Sequence, residues 1–267
     1  LTSSGNKSAP RRIYHLTLAY KGTPFLGWQR QPNGPTVQEH LETALARFWK
    51  RPVIVHGSGR TDTGVHAHAQ TAHFTEEPRF PPATLQAGLN HSLPPEIRIT
   101  ACRLAPANFH ARFSAIGKEY EYWIENAPVA SPFHLDLRWH LPRPLNLPAL
   151  TEALKLFEGT HDFASFTSNP GYERTNTIRT IHRAQIQKSG PLIRIRVTGN
   201  GFLFRMVRNL VGAAVKVGHG RLTLEELSQI LAARKRSGAP PSAPAHGLYL
   251  HRVYYDESTL QRRLNRA

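Results

Sequence analysis

Between Ile13 and Tyr254 the apolar residues pass twice through one succession of elements, and few folds accommodate such a doubling. In the first pass Tyr14, Leu16, Leu18 and Tyr20 alternate on one face of a strand. Thr36-Val37-Gln38-Glu39 reads as a capping box, opening a helix whose stripe is Val37, Leu41, Leu45 and Phe48. Strands over 52–56 and 68–75 follow. A helix then starts at Pro81-Pro82 and runs through Leu85 and Leu89, and a strand over 97–104 closes the pass. The second pass begins with a strand over 118–126 that sets Tyr120, Tyr122 and Ile124 on one face. Asn146 caps a helix through Leu150, Leu154 and Phe157, and strands over 178–187 and 192–198 pair across Ser189-Gly190. A long helix over about 203–217, a shorter one capped by Thr223 with Glu226, and a strand over 248–254 complete it. The order β-α-β-β-α-β, met twice, implies an α+β fold of two tandem ferredoxin-like halves. They would form a mixed, largely antiparallel sheet with helices on one side and a basic cleft. The expected boundaries are a flexible tail over 1–11, halves over 12–108 and 109–255 joined near 105–114, and a basic tail over 256–267.

The stretch between the second and third strands of the first pass carries the most distinctive chemistry. Gly57-Ser58-Gly59-Arg60-Thr61-Asp62-Thr63-Gly64-Val65-His66-Ala67 holds three glycines in eight positions, and so admits bends that side-chained residues avoid. It exposes an arginine, Arg60, two positions from a carboxylate, Asp62. One reading is a hairpin connection whose aspartate bonds its own backbone. A phosphate cradle is excluded: Gly59 and Gly64 have the spacing, but Val65-His66 stands where lysine and serine or threonine are required. Asp62 also fills the third glycine position of a dinucleotide fingerprint.

Charge narrows the partner. The 267 residues carry a formal net charge of +16, and 26 of the 34 basic residues are arginine, whose planar fork pairs with phosphate and stacks on bases. A basic amphipathic helix and an apolar span of transmembrane length are both absent, so nucleic acid is favoured over a membrane. The single cysteine, Cys102, excludes an internal disulfide framework and a cysteine-rich zinc site. Residues 1–10 do not read as a secretory signal, and a cytoplasmic location is expected. His66, His68 and His73 raise a zinc reading, since H-x-H puts two rings on one strand face, but a third ligand at motif spacing is missing. Cys102 reads as a small core residue rather than a nucleophile. Residues 236–246 form a proline-rich loop that suits a linker and a cleft lining equally.

Gly59-Arg60-Thr61-Asp62-Thr63-Gly64-Val65-His66-Ala67 resembles the active-site signature of the TruA-type tRNA pseudouridine synthases. Arg112-Phe113-Ser114-Ala115 through Lys118-Glu119-Tyr120-Glu121-Tyr122, Gly201 to Asn209, and Ala243 to Leu250 resemble further stretches of that family, in the expected order. The resemblance implies that Asp62 is the catalytic residue, that Arg60 helps displace the target base, that Tyr120 stacks on it and that Leu248 packs against it. It also implies a tRNA substrate, modified in the anticodon arm around positions 38 to 40, a homodimer, and neither cofactor nor metal. The family's Met-Val-Arg motif falls on Arg208 and makes it the cationic partner of Asp62. Helix geometry gives the same preference over Arg205. Leu203, Met206, Val207, Leu210, Val211 and Ala214 form one stripe, with Arg208 roughly 110–120° from its centre and Arg205 nearly opposite it. Two rival functions stay open on the sequence: a non-catalytic RNA-binding module and a metal-dependent nucleic-acid hydrolase.

Overall fold

The computed structural model describes residues 10–168 and 176–265, so most of the expected N-terminal tail lies outside the described residues. The chain folds as α+β, with ten strands in one mixed, mostly antiparallel sheet and six α-helices among the described residues. In chain order these are β1 (Arg12–Tyr20), α1 (Val37–Trp49), β2 (His56–Gly57), β3 (His66–Glu76), α2 (Pro82–Ser92), β4 (Ile97–Ala105), β5 (Gly117–Asn126), β6 (Trp139–Leu141), α3 (Leu147–Lys155), β7 (Gly159–Asp162), β8 (Ile178–Ser189), β9 (Leu192–Gly199), α4 (Met206–Gly218), α5 (Leu224–Ala233), β10 (Leu248–Tyr254) and α6 (Glu257–Leu264). The strand order is β4-β1-β3-β10-β5-β9-β8-β7, with β2 against β3 and β6 against β5.

Local chemistry explains most of the boundaries. Thr36, Asn146 and Thr223 each cap a helix by accepting from a backbone N–H three residues on, and Glu226 returns a bond to the Thr223 N–H. In β1 the side chains of Tyr14, Leu16 and Leu18 are wholly buried. Tyr14 stacks on Phe74 of β3 and meets Trp49 of α1 edge-on, so this face of the sheet carries the first core. His15 and His73, one residue along, fall on the opposite face because strand side chains alternate. There Phe109 and His110, in the segment joining the two passes, cover them with ring centroids 4.7 and 4.5 Å apart. The seam between the passes is narrow: β3 and β10 run parallel over two residue pairs, His66 with Tyr249 and Ala67 with Leu250.

The structure corrects three expectations. The strand expected over 52–56 shrinks to His56–Gly57, because side chains of α1 take the backbone groups of Val55: Glu42 accepts from its N–H and Gln38 donates to its carbonyl. The helix expected from 203 starts at Met206, since Arg205 adopts a left-handed conformation with φ 58°. Residues 257–264, expected within a basic tail, form α6, capped by Asp256 and tied back to β5 where Arg263 donates to both carboxylate oxygens of Glu119. Strands β6 and β7, of three and four residues, were too short to announce themselves.

Candidate active site

The loop between β2 and β3 is fastened on several sides. Gly64 takes a positive φ of 78°, the conformation that the glycine content provides for. Trp28 N–H donates to the Thr61 carbonyl, the hydroxyls of Tyr20 and Thr61 are 2.8 Å apart, and Gln70 donates to the Gly59 carbonyl. At the end of the loop His66 accepts from Gly22 N–H on Nδ1, so its Nε2–H donates to the His246 carbonyl. Burial holds this imidazole down to about 4, neutral at ordinary pH.

Asp62 therefore leaves a rigid loop, with a side chain 17% exposed. The cation that reaches it comes from the other half of the chain. Arg208 on the first turn of α4, 13% exposed, places Nη1 3.2 Å from Asp62 Oδ2. Its Nε donates to the Ala243 carbonyl at 2.7 Å, and Ala243 N–H donates to the Arg208 carbonyl at 3.0 Å. The proline-rich loop before β10 thus orients the guanidinium. Arg205 stands before the helix, exposed, its guanidinium 5.0 Å from the centroid of the Phe204 ring. Arg205 lies outside α4, so only Arg208 takes a place relative to the apolar stripe of that helix.

Tyr120 lies on the apolar side of β5, 9% exposed, edge-on to Phe202 at 5.2 Å. Burial first, then the nearby Tyr20 and the Asp62 carboxylate, raise its phenol well above the ordinary tyrosine range and keep it neutral. Leu248 is buried at the start of β10, in register with Tyr122, while Leu250 is the residue directly across from Tyr120. Arg60 is exposed, without an ion-pair partner among the described residues. The structure brings Asp62, Arg208 and Tyr120 together. It leaves Arg60 projecting at the rim and sets Leu248 two residues along β10 from the leucine opposite Tyr120.

Two residues of the site were not singled out in the sequence. Lys118 donates from Nζ at 2.7 Å to the carbonyl of Ser58, in the loop between β2 and β3, and a Cβ at Gly59 would come within 2.7 Å of that nitrogen. Burial, and then the charge of Arg112, lower the ammonium to about 8. Asn209, wholly buried beside Arg208, donates to the Phe166 carbonyl and accepts from Arg236 and Ser242, which anchors the proline-rich loop. Each stands in a motif quoted above, but polarity on a core face was the only other signal. His73 is no ligand, since its Nδ1 accepts from Ala111 N–H. Burial pushes the Cys102 thiol up to about 11, which favours the protonated form at ordinary pH.

The family described as tRNA pseudouridine synthase matches residues 17–114 and 153–256. The chain is 47% identical over 242 residues to tRNA pseudouridine synthase A of Methylacidiphilum infernorum, which covers 91% of this chain and 95% of the relative. It is 44% identical to the Akkermansia muciniphila protein of the same name over 91% of this chain and 95% of that one. For the Chlamydia felis protein the identity is 42% over 90% of each. By the extent of the family match and the identity to these relatives, the chain belongs to the tRNA pseudouridine synthases.

Proposed function

We propose that this isomerase converts uridine to pseudouridine in the anticodon arm of tRNA, around positions 38 to 40, with Asp62 as its catalytic carboxylate. The observation that carries the reading is a carboxylate, Asp62, held by Arg208 beside a buried, neutral Tyr120. The reaction breaks the bond from C1′ to N1 of uracil, turns the base, re-forms the bond through C5 and releases the C5 proton. It is redox neutral and no group leaves, so side chains suffice. A carboxylate serves by attacking sugar or base, or by taking a proton from C2′. Hydrolysis of a glycosidic bond ordinarily employs two carboxylates flanking it. The acids nearest in sequence are committed elsewhere, Glu76 to Arg51, Glu77 to Arg79 and Glu42 to the Val55 N–H.

The other residues take complementary parts in this reading. Tyr120 stacks on the target base and Leu248 adds an apolar wall. Arg60, exposed on the loop, enters the stack as the base leaves it. Strand orders β4-β1-β3-β2 and β10-β5-β9-β8 support two ferredoxin-like halves, spanning 12–108 and 109–255, with Asp62 from one and Arg208 from the other. An anticodon arm outsizes one such cleft, so a homodimer would hold the remainder. Among the described residues no helix is long and apolar enough to cross a membrane.

Release of tritium from C5-labelled uridine in tRNA tests the reading. Release without chain cleavage is expected. Binding of tRNA with no release would leave an RNA-binding module, and cleavage abolished by chelator would mean a hydrolase.

A further inference from the structure

The face of the sheet turned away from Tyr120 carries a cluster for which the isomerisation has no use. His68 of β3, Glu121 of β5 and His251 of β10 bring one donor atom each to within 4.8 Å of one another. His68 Nδ1 and His251 Nδ1 face each other at 3.2 Å, and Glu121 Oε2 lies 3.7 Å from His251 Nδ1. Two imidazoles on a tetrahedral zinc, at about 2.0–2.1 Å each, stand about 3.3 Å apart, so the nitrogens already have ligand spacing. The Glu121 carboxylate, 3.7 Å from His251 Nδ1 and within 4.8 Å of the His68 donor, would move inward to complete the set on binding the ion.

The surroundings resemble the outer shell of a metal site. His251 turns its other nitrogen, Nε2, to Glu119 Oε1 at 3.6 Å, the kind of carboxylate that orients a ligating imidazole. Glu121 is fixed by Trp123 Nε1–H on Oε2 at 3.0 Å and by Arg196 on Oε1, leaving a lone pair of Oε2 for a cation. The His68 ring packs against both Tyr249 and Trp123, at 4.8 and 5.5 Å, and those two rings pack on each other at 4.5 Å. The pairing of β10 with β5 shifts register between Leu250 and Arg252, making His251 the extra residue of a bulge, a device that re-aims a side chain. Glu121 is 2% exposed and the two histidines are partly open, which leaves a fourth position for water.

We propose that His68, Glu121 and His251 bind one divalent transition metal, with zinc the ion best suited to two imidazoles and a carboxylate. The position gives the ion a structural task. His68 belongs to the first half and the other two ligands to the second, and the strands between them share only two residue pairs. A metal there clips the halves across their narrowest join, so its binding free energy becomes stability.

The test uses the intact chain, stripped with chelator and titrated with zinc alone by calorimetry, and with cobalt as a spectroscopic probe. One zinc per chain, a raised Tm and the visible bands of tetrahedral cobalt are expected. His68→Gln and His251→Gln should each weaken zinc about tenfold or more and remove the Tm rise, while His73→Gln retains both. Absence of stoichiometric zinc or of tetrahedral cobalt bands in the unsubstituted chain would overturn the proposal, even if a variant failed to fold. Binding unchanged by both ligand substitutions would overturn it too, leaving a cluster of hydrogen-bonded histidines and ion pairs. None of these readouts involves RNA, so failure here leaves the proposed isomerase function intact.

Discussion

Arg208 meets Asp62 at 3.2 Å through Nη1 while its Nε is committed to the Ala243 carbonyl, so two separate contacts fix one guanidinium. A lysine at this position keeps the charge but brings one nitrogen where the planar fork now uses two. Single-turnover measurements on saturating tRNA should show the chemical step slowed about 100-fold or more by Arg208→Ala, and partly restored by Arg208→Lys. Arg205→Ala should leave that step near normal, because Arg205 is exposed ahead of the helix. A chemical step slowed by Arg205→Ala and untouched by Arg208→Ala would reverse the assignment.

Asp62→Asn preserves the shape of the side chain and removes its charge and basicity. Pseudouridine formation should be abolished while tRNA affinity stays within about threefold, because affinity comes mainly from arginine and lysine contacts to phosphate. Tritium release and filter binding on the same preparation separate the two effects. Appreciable turnover by this variant would sink the role given to Asp62.

The periodic parts of this fold could be read from sequence because burial is one-sided there. Tyr14, Leu16 and Leu18 alternate because one face of β1 packs on α1, and the caps at Thr36, Asn146 and Thr223 are local hydrogen bonds. What could not be read depends on distant partners. Val53 and Val55 look like strand residues, but Gln38 and Glu42 capture the backbone of Val55 before a ladder forms. Arg205 looks helical in a continuous pattern, yet the turn at Phe204 sets it outside α4. At the site, the Asp62 loop stood out by its unusual composition. Lys118 and Asn209 did not, since a lysine or asparagine in an alternating element shows nothing of the carbonyl it will meet.

Lys118 should leave a signature in the pH dependence of stability. Its folded value is lowered to about 8 by burial, against an ordinary 10.5. Below about 8 both folded and unfolded states carry the proton, and the folded state bears the full cost of the buried charge. Between about 8 and 10.5 the unfolded chain binds more protons, so this group makes stability rise with pH. Denaturant titrations of wild type and Lys118→Met should therefore show the difference moving in favour of the wild type across that window. A difference flat from pH 7 to pH 10.5 would contradict the burial of a charged amine under Ser58.

Arg60 is expected to act on displacement of the base rather than on bond breaking, since it is exposed two residues from Asp62 and has no ion-pair partner among the described residues. Unstacking a nucleotide costs a few kcal/mol, and an inserted guanidinium can fill the space it vacates. Arg60→Ala should slow reaction at a well-stacked stem uridine far more than at an unpaired loop uridine. Equal losses on the two substrates would count against the role.

Gly212 connects helix packing to the site. Replacing glycine by alanine inside a helix ordinarily stabilises it by about 1 kcal/mol. Here the added Cβ would stand 2.3 Å from the Pro241 carbonyl oxygen and 3.1 Å from Ala243 N, both backbone atoms that cannot swing aside like a side chain. Overpacking of this kind costs about 1–3 kcal/mol, which outweighs the gain in propensity. The segment over 241–243 must shift, and Ala243 is the residue that bonds Arg208 through both its N–H and its carbonyl. Gly212→Ala should thus lower Tm and slow the chemical step together. Gly218→Ala, in the same helix, meets the Leu145 side chain at 3.1 Å and serves as the control, with a small change in Tm and normal chemistry expected. A Gly212→Ala protein with unimpaired single-turnover rates would show that the grip of Ala243 on Arg208 is dispensable.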